Sequence, residues 1–357
     1  MKRNMIKRIA AVAMAGAMMV SMSVPTMAAD GSAEYVPRNE ITFTKKLITG
    51  PYVYVPNATY TFTVSPLENT TGMTAGGQPV SPGEPGGING LNADNTFSIT
   101  TTTELLDDYS ATEKTWDVGT YKLTVNINAF KTPGVYRYQV VENDPTYEGI
   151  AKKQGSKAQY LDVYIMKNGN NLEARYFVLT DGKEGAKNDG SFENTYTTYS
   201  VKVTKKVEGN QAYTEDGFDF TFKTTPNIAG EKYNVIASEG ATVTSVKDNE
   251  WNVNLDNGES ATIYGLTEKD AYEIAEKDYS SKGWKTEVTI EGESVTKGED
   301  NRSASGKGAS DAKITVTNTK NASTPTGIVM DIAPYIIMVA AAGVLAFVFL
   351  RRRSYTK

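Results

Sequence analysis

The feature that most constrains the fold of this chain is a strand pattern that carries a carboxylate on its apolar side. In GVYRYQVVE, which ends at Glu142, the alternate positions Tyr136, Tyr138 and Val140 share a face with the acid, because side chains in a strand point to two faces in turn. The segment YEIAE, which ends at Glu276, repeats this pattern. One such acid commonly marks a strand end, but two at matching places in two halves of a chain need a common cause. We therefore expect two β domains, each with an acid directed at its core.

The composition favours an all-β fold and removes much of the usual enzyme chemistry. The 357 residues include 21 Tyr but no Cys and no His, and aromatic residues are enriched in strands. Disulfides, thiol nucleophiles, imidazole bases and the commonest zinc ligands are therefore excluded. We expect no cofactor, no metal site and no turnover enzyme.

Both ends of the chain carry targeting signals. Residues 1–29 combine basic residues, an apolar run and the small-residue stretch TMAA, which is typical of a cleaved signal peptide. The stretch from Ile332 to Leu350 is almost wholly apolar and is followed by three arginines, which predicts a membrane span with its basic tail inside the cell. The exported part between these ends is acidic, and it therefore disfavours nucleic acid as a partner.

The exported part divides into residues 30–197 and 198–320, followed by a C-terminal segment at 321–357. Each half begins with an alternating strand, and of two adjacent lysines the first lies in phase with the apolar residues: Lys45 in TFTKKL and Lys205 in VTKKVEGN. The stretch from Pro66 to Asn92 is rich in Gly, Pro and Thr, and we expect it to form an exposed insertion without chemistry.

Each half ends on a strand with an inward asparagine. Asn194 in SFENTY and Asn318 in ITVTN share a face with their apolar neighbours. Taken singly, an inward lysine is commonly an edge residue that snorkels to water, and an asparagine near a strand end is commonly a turn residue. The order Lys, Glu, Asn nevertheless recurs in both halves with all six residues in phase, which favours a shared function over six coincidences.

A lysine, a glutamate and an asparagine that are enclosed together can form an amide bond between two side chains. Burial disfavours charge, so it lowers the pKa of an amine and raises that of a carboxyl group, by roughly 3 to 5 units at full burial. A neutral lysine can attack the carboxamide while the glutamate polarises the carbonyl and passes a proton to the departing ammonia. A held geometry can contribute roughly 7 to 11 kcal/mol to such a reaction. The protein would act once, on itself.

The motifs that carry these residues resemble those of the isopeptide-forming domains of Gram-positive, sortase-assembled pilins. The resemblance rests on TFTKKL, GVYRYQVVE and FENTY in the first half, and on VTKKVEGN, YEIAE and ITVTN in the second. It implies an immunoglobulin-like (Cna-B-like) β sandwich for each half, with a Lys–Asn bond between the first and last strands and a catalytic glutamate on a neighbouring strand. The implied sets are Lys45, Glu142 and Asn194, and Lys205, Glu276 and Asn318.

The C-terminal layout resembles a cell-wall sorting signal, which a sortase transpeptidase cuts between Thr and Gly. In the motif STPTG the bond to be cut would join Thr326 to Gly327. The usual motif has Leu and Pro where this chain has Ser323 and Thr324, which leaves the class of sortase open. A plain single-pass membrane anchor is the alternative interpretation.

These features predict a secreted structural protein of the Gram-positive cell wall, a pilus backbone subunit that inserts transiently in the membrane before sorting and polymerises head to tail. In the resembling pilins the acceptor lysine lies shortly before the linking asparagine of the first domain, which implies Lys187, with Lys183 as the second choice. The implied partners are a sortase, other copies of the chain and peptidoglycan. The alternative is a monomeric wall-anchored adhesin that binds a host protein or glycan, with residues 66–92 as its binding loop.

Overall fold

The structure, a computed structural model, describes residues 39–154, 158–181, 187–212, 217–322 and 335–347. The predicted signal peptide and the predicted cleavage site at Thr326 and Gly327 lie outside these ranges. Most of the described chain is β-strand, in agreement with the composition, with short 3-10 turns at Thr103–Leu105, Ile127–Ala129 and Ser280–Lys282.

The first half of the described chain forms twelve strands. They are β1 (Glu40–Thr49), β2 (Thr59–Pro66), β3 (Thr74–Ala75), β4 (Gln78–Pro82), β5 (Ile88–Asn89), β6 (Thr96–Thr100), β7 (Lys114–Val125), β8 (Gly134–Glu142), β9 (Ile150–Lys152), β10 (Gln159–Asn168), β11 (Asn171–Thr180) and β12 (Ser191–Tyr196).

These strands form a β sandwich. One sheet has the order β5-β7-β1-β12-β9 and the other β11-β10-β8-β2-β6, with the β3–β4 hairpin attached to β8 through β4. The facing sides share an apolar core in which the rings of Phe43, Phe62, Phe97 and Phe192 contact one another. The first strand, β1, and the last strand, β12, are parallel neighbours. A tight turn cannot connect parallel neighbours, so the rest of the sandwich lies between them in sequence.

The second half repeats this arrangement with eleven strands in the described residues. They are β13 (Tyr199–Glu208), β14 (Phe218–Thr225), β15 (Asn234–Ala237), β16 (Thr242–Lys247), β17 (Glu250–Leu255), β18 (Ser260–Leu266), β19 (Ala271–Glu276), β20 (Lys285–Glu291), β21 (Val295–Lys297), β22 (Ser303–Lys307) and β23 (Ala312–Thr319). The sheets are β15-β18-β13-β23-β20 and β16-β17-β14-β19-β22-β21. Again the first and last strands, β13 and β23, are parallel neighbours.

The stretch from Pro66 to Asn92 is mostly exposed, as its composition predicted, but a few buried residues attach it to the sandwich. It contains three short strands, of which β4 pairs with β8 and β5 pairs with β7. Val80 and Ile88 are buried, with 6% and 7% of their surface exposed, and the hydroxyl of Tyr138 donates to the backbone oxygen of Glu84 at 2.8 Å. Single apolar residues among Gly, Pro and Thr give no periodic pattern, although they suffice to attach the segment to the sandwich.

The two halves contact each other where β12 leads into β13. The carboxylate of Glu148 accepts a hydrogen bond from the backbone N–H of Lys269 at 2.8 Å. On the same junction, the side-chain amide of Asn234 donates to the backbone oxygen of Tyr52 at 2.6 Å. These bonds join loops of the first sandwich to a loop and to the start of β15 in the second.

Near the C-terminus, residues 335–347 form an α-helix. Within the ranges that the structure describes, no helix has the length and apolar character needed to cross a membrane. The predicted span from Ile332 to Leu350 extends beyond this helix on both sides, into residues outside those ranges.

Candidate functional site

The first lysine, glutamate and asparagine meet in the core of the first sandwich. Lys45 Nζ lies 3.0 Å from Oε1 and 3.1 Å from Oε2 of Glu142, and Asn194 Nδ2 donates to Glu142 Oε1 at 2.7 Å. Lys45 and Asn194 expose none of their surface, and Glu142 exposes 6%. The three residues that strand phase singled out thus form one buried contact group.

The second set has nearly the same geometry. Lys205 Nζ donates to Glu276 Oε1 at 2.7 Å, and Asn318 Nδ2 donates to the same oxygen at 3.1 Å. Lys205 and Asn318 are wholly buried, and Glu276 exposes 2%. The glutamate lies between the lysine and the asparagine in both sandwiches.

The parallel pairing of first and last strands sets the distance between lysine and asparagine. Asn194 is paired in register with Leu47, two positions after Lys45. Asn318 is paired with Val207, two positions after Lys205. Because residues two apart in a strand share a face, the lysine and asparagine side chains of each pair project into the core from adjacent strands.

The glutamates lie on the facing sheet. Glu142 ends β8 and is paired with Phe62 of β2, and Glu276 ends β19 and is paired with Phe220 of β14. The resemblance implied a glutamate on a neighbouring strand, but neither β8 nor β19 pairs with the strand that carries the lysine. The acid instead reaches across the core from the opposite sheet.

Burial among apolar and aromatic residues lowers the pKa of both lysines. Desolvation by burial lowers the pKa of Lys45 from 10.5 to about 8, against the opposing effect of the carboxylate of Glu142. Burial lowers the pKa of Lys205 to about 8 in the same way. Lys45 Nζ lies 4.9 Å from the ring centroid of Tyr60, and Lys205 Nζ lies 4.1 Å from that of Phe218. A substantial neutral fraction of each amine therefore exists near neutral pH.

The carbonyl oxygen of each asparagine is buried without a partner. Asn194 Oδ1 and Asn318 Oδ1 make no hydrogen bond to any described residue, which costs about 1 to 3 kcal/mol for each such group. A half-turn of the carboxamide exchanges Nδ2 and Oδ1 and places the oxygen next to the glutamate. A protonated glutamate could then donate to it, and the carboxamide carbon would become a better electrophile.

The remaining predicted positions lie apart from the two contact groups or outside the described ranges. Lys187 is exposed and pairs in an isolated bridge with Thr180, in the segment that leads into β12. Lys183, Thr326 and Gly327 fall outside the described ranges. In the part of the chain that the structure describes, no group of three His, Cys, Asp or Glu residues is arranged to hold a metal ion.

The sequence reasoning missed two residues of these sites. Thr286 Oγ1 donates to Glu276 Oε2 at 3.1 Å, and the ring of Tyr60 lies against Lys45. A signal for each was present, because Thr286 is in phase with Val288 and Tyr60 is in phase with the buried Phe62. Threonine and tyrosine are common in strands, so the phase of these two residues did not distinguish them from structural residues.

Comparison with known proteins gives matches to a family model, to a curated protein sequence and to solved structures. A family model described as a domain of unknown function (DUF7601) matches residues 199–320. A curated protein named pilin, from Streptococcus pyogenes serotype M1, is 27% identical over 236 residues, which cover 61% of this chain and 68% of that protein. The crystal structure of the major pilin from Streptococcus pyogenes has a TM-score of 0.58 at 22% identity, and the match covers 80% of this chain and 100% of that chain.

A major pilin from another serotype of the same species is also similar. Its structure has a TM-score of 0.54 at 26% identity, and the match covers 80% of this chain and 98% of that chain. This chain is therefore homologous to Streptococcus pyogenes pilin and shares the pilin β-sandwich fold.

Proposed function

From this homology, we propose that the chain is a pilus backbone subunit whose two sandwiches are each locked by a self-formed Lys–Asn isopeptide bond. The observation that supports the proposal most strongly is the repeated buried contact group, with the same strand register and the same glutamate position in both sandwiches. The bonds are Lys45–Asn194 and Lys205–Asn318. Residues 30–197 and 198–320 are the two proposed domains.

The proposed reaction is an amide exchange. The neutral Nζ of the lysine attacks Cγ of the asparagine, and Glu142 or Glu276 donates a hydrogen bond to Oδ1 as charge develops there. The same carboxyl group then takes a proton from Nζ and gives one to Nδ2, so that it ends the reaction in the protonation state in which it began. The Nζ–Cγ bond forms, the Cγ–Nδ2 bond breaks and ammonia leaves. The chain undergoes one turnover and then remains cross-linked.

The strand directions favour head-to-tail assembly. β1 and β12 are parallel and both run towards the junction between the sandwiches, whereas β13 and β23 are parallel and both run away from it. Lys187, just before β12, therefore lies at one end of the molecule, and the chain leaves β23 at the other end. We propose that a sortase cleaves after Thr326 and joins it to Lys187 of the next copy, and that the last subunit is joined to peptidoglycan.

A polymerisation assay in a Gram-positive host tests this linkage. Co-expression with a pilus-type sortase is expected to give a ladder of covalent polymers on denaturing gels. Lys187→Arg should abolish the ladder, because the guanidinium cannot accept the threonine acyl group. Lys167→Arg, at another exposed position, is the matched control and should leave the ladder unchanged.

Two outcomes would count against the polymer. A ladder that persists when Lys187 and Lys183 are both replaced by Arg in one chain would remove the proposed linkage. A wild-type chain that is anchored to the wall only as a monomer would favour the adhesin alternative.

A further inference from the structure

The two glutamates differ in what holds their second oxygen. In the first sandwich Lys45 contacts both carboxylate oxygens of Glu142, at 3.0 and 3.1 Å. In the second sandwich the lysine and the asparagine both contact Oε1 of Glu276, at 2.7 and 3.1 Å. The other oxygen, Oε2, accepts a hydrogen bond from the hydroxyl of Thr286 at 3.1 Å.

The difference follows from the strand next to the reacting asparagine. Thr286 of β20 is paired in register with Asn318. The corresponding partner of Asn194 in the first sandwich is Lys152 of β9, whose ammonium group pairs with Asp144 at 2.7 Å. The short side chain of Thr286 thus places a hydroxyl group beside the second site. At the first site the equivalent residue, Lys152, has a long side chain that pairs with Asp144 instead.

We propose that Thr286 is a positioning residue for bond formation between Lys205 and Asn318, an inference that rests on the proposed isopeptide chemistry. Its hydroxyl donates to Oε2 of Glu276 and fixes the plane of the carboxyl group. Oε1 then remains the oxygen that takes the proton from Nζ and delivers it to the leaving Nδ2. Because one oxygen serves both partners, the carboxyl group need not rotate between the two proton transfers.

The test uses the mature chain, refolded from inclusion bodies at pH 5.5 and transferred to higher pH to start the reaction. Peptide mapping over time measures the Lys205–Asn318 link, and the Lys45–Asn194 link in the same molecule is an internal standard. Thr286→Val, which keeps the shape but removes the donor, should slow the second link about tenfold. Thr286→Ser, which keeps the donor, should restore the rate, and the first link should be unaffected.

Two further measurements separate positioning from a structural role. Thr289→Val, an exposed change on the same strand, is the matched control and should react like the wild type. The pH midpoint of the second link should stay where it is in the wild type, because Lys205 remains buried. A shift of that midpoint to higher pH would mean that the variant opens the core, and it would overturn the positioning role.

The experiment distinguishes a failure of the role proposed for Thr286 from a failure of the proposed isopeptide chemistry. If wild-type chain forms no Lys205–Asn318 link, the isopeptide chemistry itself is wrong. If the link forms in the wild type and equally fast in Thr286→Val, the chemistry stands and Thr286 has no positioning role.

Discussion

At the scale of single residues, the proposed bond formation depends on burying a lysine away from water. A shift of the pKa from 10.5 to about 8 increases the neutral fraction of the amine at neutral pH roughly 300-fold, since each pKa unit is a factor of ten. The asparagine carbonyl oxygen beside it is buried and has no partner among the described residues. The same apolar core therefore favours the neutral amine and leaves the carbonyl oxygen available for a hydrogen bond from the glutamate.

These pKa values predict how bond formation depends on pH. A lowered amine pKa means that Lys45 and Lys205 lose their protons as the pH rises through about 8, and only the neutral amine can attack. The rate of ammonia loss should therefore increase between pH 6 and 8 and level off above about pH 9. Intact-mass time courses after refolding at pH 5.5 would measure it. A midpoint near the ordinary lysine value of 10.5 would contradict the desolvated site.

Strand phase was sufficient to select the six residues of the contact groups, because a polar residue at an inward position is rare. Phase could not predict that the glutamate reaches the lysine from the facing sheet, since sheet order depends on contacts between distant strands. Thr286 was missed because threonine is ordinary in a strand, and its role depends on the register of β20 against β23.

At the scale of elements, most long strands could be predicted from alternation, but the packed part of residues 66–92 could not. Tyr138 of β8 connects this segment to the sandwich, because its hydroxyl bonds to the backbone oxygen of Glu84. Gly87 lies against the same ring, and a Cβ there would be 2.1 Å from the hydroxyl oxygen of Tyr138 and 2.9 Å from the oxygen of Glu84. Such close approach to distant residues leaves no local trace in the sequence.

This packing predicts that Gly87→Ala destabilises the first sandwich. The added methyl group would displace the Tyr138 ring and part of the β4–β5 connection, and overpacking of this kind typically costs about 1 to 3 kcal/mol. Gly134→Ala is the matched control, because its Cβ would make only ordinary contacts of 3.6 Å or more with Tyr136. Denaturant unfolding measures both variants. Equal midpoints for the two would mean that the segment is not packed as described.

At the scale of the whole molecule, the cross-links have different mechanical roles in the proposed polymer. A pull between Lys187 and Thr326 runs along β12 into β13, crosses to β23 through the Lys205–Asn318 bond and leaves at the C-terminal end. The Lys45–Asn194 bond lies beside this route and holds β1 to β12. Each bond closes a loop of roughly 110 to 150 residues, which by analogy with disulfides is worth about 4 to 5 kcal/mol.

The junction between the sandwiches also contains a buried carboxyl group, that of Glu231. Glu231 accepts hydrogen bonds from Tyr147 of the first sandwich at 3.2 Å and from Tyr233 at 3.3 Å. Burial, followed by the nearby carboxylate of Asp270, raises the pKa of Glu231 from 4.5 to about 7. The hydrogen bond from Tyr147 acts in the opposite direction and lowers this pKa. A raised carboxyl pKa means that Glu231 holds a proton in the folded protein, so its contribution to stability is complete below about pH 4.5 and is lost as the pH rises through about 7.

We therefore expect the folded chain to be more stable in acid, because Glu231 is buried beside Asp270. The thermal unfolding temperature of the mature chain should fall between pH 5 and pH 8, and Glu231→Gln, which is neutral throughout, should remove most of that dependence. Glu239→Gln, at an exposed position, is the control and should behave like the wild type. An identical pH dependence in Glu231→Gln and the wild type would contradict the protonated contact.

The intact mass of the purified mature domain pair tests the central claim most directly. Two isopeptide bonds predict a mass below the calculated value by two molecules of ammonia, and Glu142→Ala should restore one of them while the second sandwich remains linked. A folded wild-type protein with the full calculated mass, and with Lys45 and Lys205 recovered as free amines in its peptides, would contradict the account.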